Sequence, residues 1–197
     1  MDAAQDGDLG TVRRLLSQDP SLFTAKYEGF SALHVAAHAG HTAVVQELLQ
    51  HDADTNVTCD GNTPLIAAAY GGHEAVCKLL IQCIPYLDHK DTQGHTALHH
   101  AALRGYQTIM TDLITAGADL NLQDNTGMTP LRCACNGGHT ACVKYLLQAG
   151  ADRNISAIDG VFPIHIAAVY NIPGAVQAFI NYGCHPNLVS INTKTYD

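Results

Sequence analysis

The sequence predicts an all-α solenoid of about six helix-turn-helix units joined by β-hairpin fingers. Three marks that share one period predict it, and self-similarity at a fixed period is the signature of repeat architectures. A turn glycine recurs at Gly29, Gly61, Gly94, Gly127 and Gly160, in steps of 32, 33, 33 and 33 residues. Pairs of large apolar residues keep the step: Leu15-Leu16, Leu48-Leu49, Leu80-Ile81, Leu113-Ile114, Leu146-Leu147 and Phe179-Ile180. So do small-residue pairs, at Ala3-Ala4, Ala36-Ala37, Ala68-Ala69, Ala101-Ala102, Ala134-Cys135 and Ala167-Ala168. An asparagine adds a fourth mark, at Asn56, Asn121, Asn154 and Asn187, eight residues after the start of an apolar pair.

Each unit reads as two short helices and a hairpin. The first helix is carried by SALHVAAHAG, TPLIAAAYGG, TALHHAALRG, TPLRCACNGG and FPIHIAAVYN. Where Thr63, Thr96 or Thr129 leads, its hydroxyl can accept from the orphan N–H groups of the first turn, and Pro64 or Pro130 is preset for that turn. The paired alanines flatten one face so that neighbouring helices approach closely, and a Gly then stops the helix. The second helix, as in HTAVVQELLQ, sets Val44, Val45, Leu48 and Leu49 on one apolar stripe. The D-x-x-G runs at Asp91–Gly94 and Asp124–Gly127 are turn signals that close the hairpin.

The 33-residue step and the pattern T-P-L-H-x-A-A-x-x-G-H…L-L-x-x-G-A-D-x-N together resemble the ankyrin repeat. The resemblance covers residues 1–190 as one domain, in units of roughly 1–25, 26–57, 58–90, 91–123, 124–156 and 157–190. It departs at Ile66 and Arg132, which stand where the pattern has His. It also departs at Cys83-Ile84-Pro85-Tyr86, and at Asn171 and Pro173 in the last unit. The tail 191–197 aligns with the opening of a seventh hairpin, so the native chain is expected to continue. The resemblance also implies that Asn56, Asn121, Asn154 and Asn187 occupy the position that asparaginyl hydroxylases modify.

Composition narrows the function. The chain is 47% apolar and 14% charged, the balance of a folded domain. Its net charge of −8, with no basic cluster, disfavours nucleic acid and anionic membranes. No apolar run is long enough for a membrane span, and the start MDAAQDGDLG lacks the basic and apolar parts of a secretory signal. Seven scattered cysteines fit reduced thiols in an intracellular setting, cytoplasmic or nuclear. Two sequons, at Asn56-Val57-Thr58 and Asn154-Ile155-Ser156, point the other way but arise often by chance.

The chemistry-bearing residues are largely absorbed by the repeat. His34, His99 and His165 fill the fourth position of the T-P-L-H box, where the resemblance implies a ring bonded to the turn. His41, His73 and His139 follow the helix-stopping Gly. The sharpest metal candidate is Cys133-x-Cys135-x3-His139-x2-Cys142. Its C-x-C spacing is poor for tetrahedral zinc, and small buried thiols suit those slots. No nucleophile elbow, P-loop, H-E-x-x-H, dinucleotide fingerprint or C-x-x-C is present. No catalysis, cofactor or metal is expected.

Function is expected on the concave face of fingers and inner helices, where solenoids bind partners. Positions there that packing does not need flank the turn glycines or precede the helix-stopping ones. At the fingers they are Tyr27, Glu28, Phe30, Asp60, Asn62, Gln93, His95, Thr126, Met128 and Val161. On the inner helices they are His38, Tyr70, Leu103, Arg104, Asn136, Val169 and Tyr170. Exposed aromatics and Arg are the usual anchors of an interface. The expected function is therefore a monomeric scaffold or adaptor that binds another protein or peptide. An inhibitor occluding an enzyme or transcription factor would use the same face, and a Cys/His metal protein is the remaining alternative. Protein purified without chelator is expected to contain no stoichiometric zinc. EDTA is expected to leave its circular dichroism unchanged, and loss of fold on chelation would restore the metal alternative.

Overall fold

The computed structural model of the chain describes residues 1–83 and 86–184, together with all side chains in those spans except Pro20, Phe23 and Tyr27. Asn187 and the tail 191–197 therefore lie outside the described residues. The chain forms two compact units, Met1–Thr92 and Gln93–Asp197.

In the first unit α1 (Asp2–Gln5), α3 (Ala32–Ala39) and α5 (Pro64–Gly71) form an inner row. The outer row is α2 (Leu9–Gln18), α4 (Thr42–Gln50) and α6 (Glu74–Ile81). The second unit repeats the plan, with α7 (Ala97–Arg104), α9 (Pro130–Asn136) and α11 (Pro163–Val169) inside. Its outer helices are α8 (Gln107–Thr115), α10 (Thr140–Gln148) and α12 (Pro173–Asn181). Among the described residues strand is confined to one finger, where β1 (Lys26–Tyr27) pairs antiparallel with β2 (Phe30–Ser31), and to a bridge between Cys59 and Asn62.

The alanine pairs explain the inner rows. Ala36, Ala37, Ala68, Ala69, Ala101, Ala102, Ala134 and Cys135 have no solvent exposure, because nothing larger than Cβ or Sγ separates neighbouring helices. Ala168 is the exception and stands exposed on the last inner helix. The outer helices seal the other side with Val44, Val45, Leu48, Leu80, Leu113, Leu146 and Phe179, all at most 1% exposed. Leu49 is only half-buried, so the stripe of α4 is narrower than the spacing predicts.

Helix starts follow the capping expectation. Ser31, Thr63, Thr96 and Thr129 each accept from the backbone N–H three residues on. Helix ends depend on a left-handed residue, and Asn171 takes that conformation (φ 53°) where the other inner helices use Gly. Its short polar side chain makes Asn the best substitute for Gly there.

The turn after α3 shows why Gly is required. Gly40 has φ 79°, and a Cβ there would run into the His73 imidazole. That ring lies across the glycine, with Nε2–H donating to the carbonyl of His38 at 2.8 Å. His41 over Gly7 and His139 over Gly105 repeat the contact, donating to Gln5 and Leu103 carbonyls at 2.7 and 3.0 Å. Gly150 is a control, because it has φ 95° but nothing within 4 Å of an added Cβ. Gly150→Ala is expected to cost about 1 kcal/mol for the left-handed backbone alone. Gly40→Ala is expected to cost about 1 kcal/mol more, since the imidazole must also move. Urea denaturation of the two variants reads the difference, and equal costs would show that the stacked ring contributes nothing.

Candidate partner-binding face

The fingers are held by a clasp from the inner helix beneath. In α3, His34 Nε2–H donates to the carbonyl of Asn62 in the next finger at 2.9 Å, while Nδ1 faces the Ser31 hydroxyl and backbone N–H. In α7, His99 does the same toward the Met128 carbonyl at 3.1 Å and back to Thr96. A carbonyl can only accept, so both rings are neutral Nε2–H tautomers with Nδ1 as acceptor. Burial pushes His99 down to about 4, the Met128 carbonyl working against the shift; burial also lowers His34.

Arg132 breaks the pattern but keeps the clasp. Its Nη1 donates to the Val161 carbonyl at 2.8 Å, the same finger position as Asn62 and Met128. The guanidinium also engages Asp159 at 2.7 Å through Nη1, and hydrogen bonds from Arg132 hold that carboxyl below its ordinary range. Ile66, the other departure, is a buried apolar side chain.

In the first unit the expected face residues separate cleanly. Glu28, Phe30, His38, Asp60 and Tyr70 are exposed and Asn62 is half-buried, whereas the Tyr27 side chain lies outside the described ones. Phe30 meets the His34 ring edge-on with centroids 6.0 Å apart. Tyr70 stacks on His38 at 6.3 Å. Between them a hollow of about 330 Å³ is lined by Gln5, Phe30, His34, Val35, His38, Ala39, Asn62 and Ala67. The expected residues thus include three of its walls, Phe30, His38 and Asn62. Val35 and Ala67 were not among them, because an apolar residue inside an inner helix reads as core.

In the second unit Gln93, Leu103, Arg104, Thr126, Val169 and Tyr170 are exposed. His95, Met128, Asn136 and Val161 are half-buried and engaged with the frame. His95 Nε2 lies 3.0 Å from Asp124 Oδ2, and Asn136 donates to the Met128 sulfur. Burial works against the Asp124 carboxylate, but hydrogen bonds from Thr126 and Met128 hold its pKa down. A second hollow of about 370 Å³ is lined by residues including Thr126, Met128, Arg132 and Ile158. Ile158 is 75% exposed and was missed, because its place two residues before Gly160, not next to it, gives no binding signal.

The cysteine candidates follow the repeat register. Cys133, Cys135 and Cys142 are buried, and burial pushes the first two thiols up to about 12. His139 directs its Nε2 to the Leu103 carbonyl. Protonated thiols in apolar slots are poor nucleophiles and poor metal ligands.

A family model described as ankyrin repeats in three copies matches residues 1–91, 57–124 and 98–190. The chain belongs to the ankyrin repeat family, whose repeats form a module for protein–protein interaction. It is 40% identical over 82 residues to a probable E3 ubiquitin-protein ligase of Oryza sativa subsp. japonica, covering 40% of this chain and 18% of that one. It is 46% identical over 54 residues to protein phosphatase 1 regulatory subunit 12A of Mus musculus, covering 27% and 5%. With ankyrin repeat and SOCS box protein 3 of Bos taurus it shares 38% identity over 68 residues, covering 32% and 13%. The chain thus spans 18% or less of the length of these relatives. No helix among the described residues is long and apolar enough to cross a membrane.

The clasp sets a pH dependence. Unfolded, His99 titrates near its ordinary 6.5, whereas folded it stays neutral until about 4. The unfolded state therefore binds the extra proton in that window, and acid favours unfolding. The contribution is complete above about 6.5 and is lost as the pH falls to about 4, amounting to about 3 kcal/mol. His99→Gln is expected to flatten the urea-midpoint profile between these limits. An unchanged profile would remove His99 as its source.

Proposed function

We propose that the chain is a non-catalytic scaffold or adaptor that presents its finger and inner-helix residues to a segment of another protein. One observation carries the reading. Phe30, Tyr70 and Tyr170 are 40%, 45% and 58% exposed at positions where the packing frame demands no aromatic residue. Exposed aromatic rings are costly to leave in water and dominate interface energies when covered. Two of the three flank the first-unit hollow, one finger and one inner helix apart. The seven free thiols, six of them buried, suit a reducing compartment, and we place the protein inside the cell.

Alanine at Phe30, Tyr70 or Tyr170 is expected to change unfolding free energy by no more than about 0.5 kcal/mol. The same changes are expected to weaken a partner isolated with the wild-type chain, by about 2 kcal/mol or more at one or two positions. Leu48→Ala is the opposite control. It empties a site 1% exposed, and is expected to cost about 2–5 kcal/mol of stability with no specific effect on binding. If the aromatic variants unfold the chain while the folded fraction still binds normally, the rings are packing and the proposal fails.

A further inference from the structure

The net charge is unevenly placed. Residues 1–92 hold five Lys and Arg against twelve Asp and Glu, whereas residues 93–197 hold five against six. Nearly all of the −8 therefore belongs to the first unit. Several of its carboxylates are already engaged. Asp8 and Asp19 cap helices, Asp54 accepts from the Asn56 N–H, and Glu47 pairs with Arg13.

Glu28 and Asp60 differ. They occupy the same place in successive fingers, immediately before Gly29 and Gly61, and both are exposed. Their backbones are left-handed, with φ of 53° and 50°. The fingers adjoin, since Cys59 Sγ lies 3.6 Å from the Glu28 carbonyl. Among the described residues neither carboxylate makes an ion pair or hydrogen bond.

The hollow opens at the base of these two fingers. Phe30 and Asn62, one residue past each turn glycine, form part of its wall. Val35, Ala39 and Ala67 make the rest largely apolar. The Asn62 carboxamide oxygen is withdrawn from water and has no hydrogen-bond partner. An amide oxygen left in that state is costly, and a turn of the carboxamide would offer it to an N–H donor in the hollow.

We propose that this hollow takes an apolar side chain from an extended, basic segment of a partner protein, with Glu28 and Asp60 receiving the flanking Arg or Lys. The inference rests on the proposed function and adds the chemistry of the partner to it. An extended peptide supplies all three requirements: a side chain for the hollow, a backbone N–H for Asn62, and cations on either side. About 330 Å³ accommodates one large side chain and not a helix face. Nucleic acid is excluded as occupant by the same carboxylates, which would repel its phosphates.

The test uses the full chain and labelled dodecapeptides of Gly and Ser with a central Leu, flanked on both sides by Arg, Gln or Glu. Anisotropy at low salt is expected to show the Arg peptide binding about tenfold or more tighter than the Gln peptide, a difference of about 1.4 kcal/mol. The Glu peptide is expected to bind least. Glu28→Gln with Asp60→Asn keeps shape and backbone preference, and is expected to abolish the Arg preference with the urea midpoint unchanged. Replacing the central Leu by Ser, or Val35 by Arg, is expected to remove binding of the Arg and Gln peptides alike. Equal binding of Arg and Gln peptides, an Arg preference that survives the double variant, or no binding of any peptide overturns the inference. Of these, equal binding that Phe30→Ala abolishes leaves the adaptor reading standing. An aromatic set shown to be packing would remove both.

Discussion

At Gly7, Gly40 and Gly105 neighbouring repeats are held at a fixed step by the contact between a left-handed glycine and the imidazole of the following repeat. At Gly40 and Gly105 the inner helix must stop, and the chain must reverse within one residue. A positive φ achieves the reversal, and the missing Cβ leaves room for His73 or His139 to lie flat across the turn. The ring closes the site by donating to a carbonyl two residues before the glycine. That carbonyl belongs to the end of a helix, where no backbone N–H is available, so the imidazole meets a need intrinsic to helix termini. The bond uses only the backbone of His38 and Leu103, whose side chains are both among the exposed face residues.

A second contact orients the fingers over the inner helices. The carbonyl one residue past the turn glycine receives a donor from below, whether His34, His99 or Arg132 supplies it. The exchange of imidazole for guanidinium shows that the requirement is a buried N–H at that point in space. The two donors behave differently in acid. The imidazole must remain neutral to keep Nδ1 as an acceptor, whereas the guanidinium is charged throughout and brings Asp159 with it. The finger of Asp159 and Val161 is thereby held by an ion pair, where those of Asn62 and Met128 are held by a pH-sensitive ring.

The fold was almost wholly legible because its forces are periodic. Alanine pairs, apolar pairs, capping threonines and stop glycines each repeat, and the register predicted the burial of Cys135 and Cys142, while the ankyrin resemblance implied the role of His34 and His99. What was not legible belongs to single positions. Arg132 reads as a defect in the pattern until its geometry shows it making the same bond. Ala168 shares the small-residue signature but is exposed, since the signature describes the helix and not its neighbour. His95 reads as a surface finger residue, but its ring reaches Asp124. For the face itself, periodicity identifies which positions packing leaves unassigned. It cannot say which of them converge, because Phe30, Val35, His38 and Asn62 meet only through the stacking of two inner helices.

The division between frame and face also bears on backbone strain. A hairpin turn with two left-handed residues is served most cheaply by Asn-Gly or Gly-Gly. The first two fingers instead place Glu28 and Asp60 at the first of those positions. For Glu in particular the left-handed region costs free energy that no hydrogen bond or ion pair of its carboxylate among the described residues returns. Strain of this kind persists where the side chain has work outside the fold. The later fingers carry Gln93, Thr126 and Asp159 at that place, and the carboxylate of the last is taken by Arg132. Exposed negative charge at the fingertips is thus concentrated where the apolar hollow lies below it. On that coincidence rests the proposal of a cationic partner segment for the first unit.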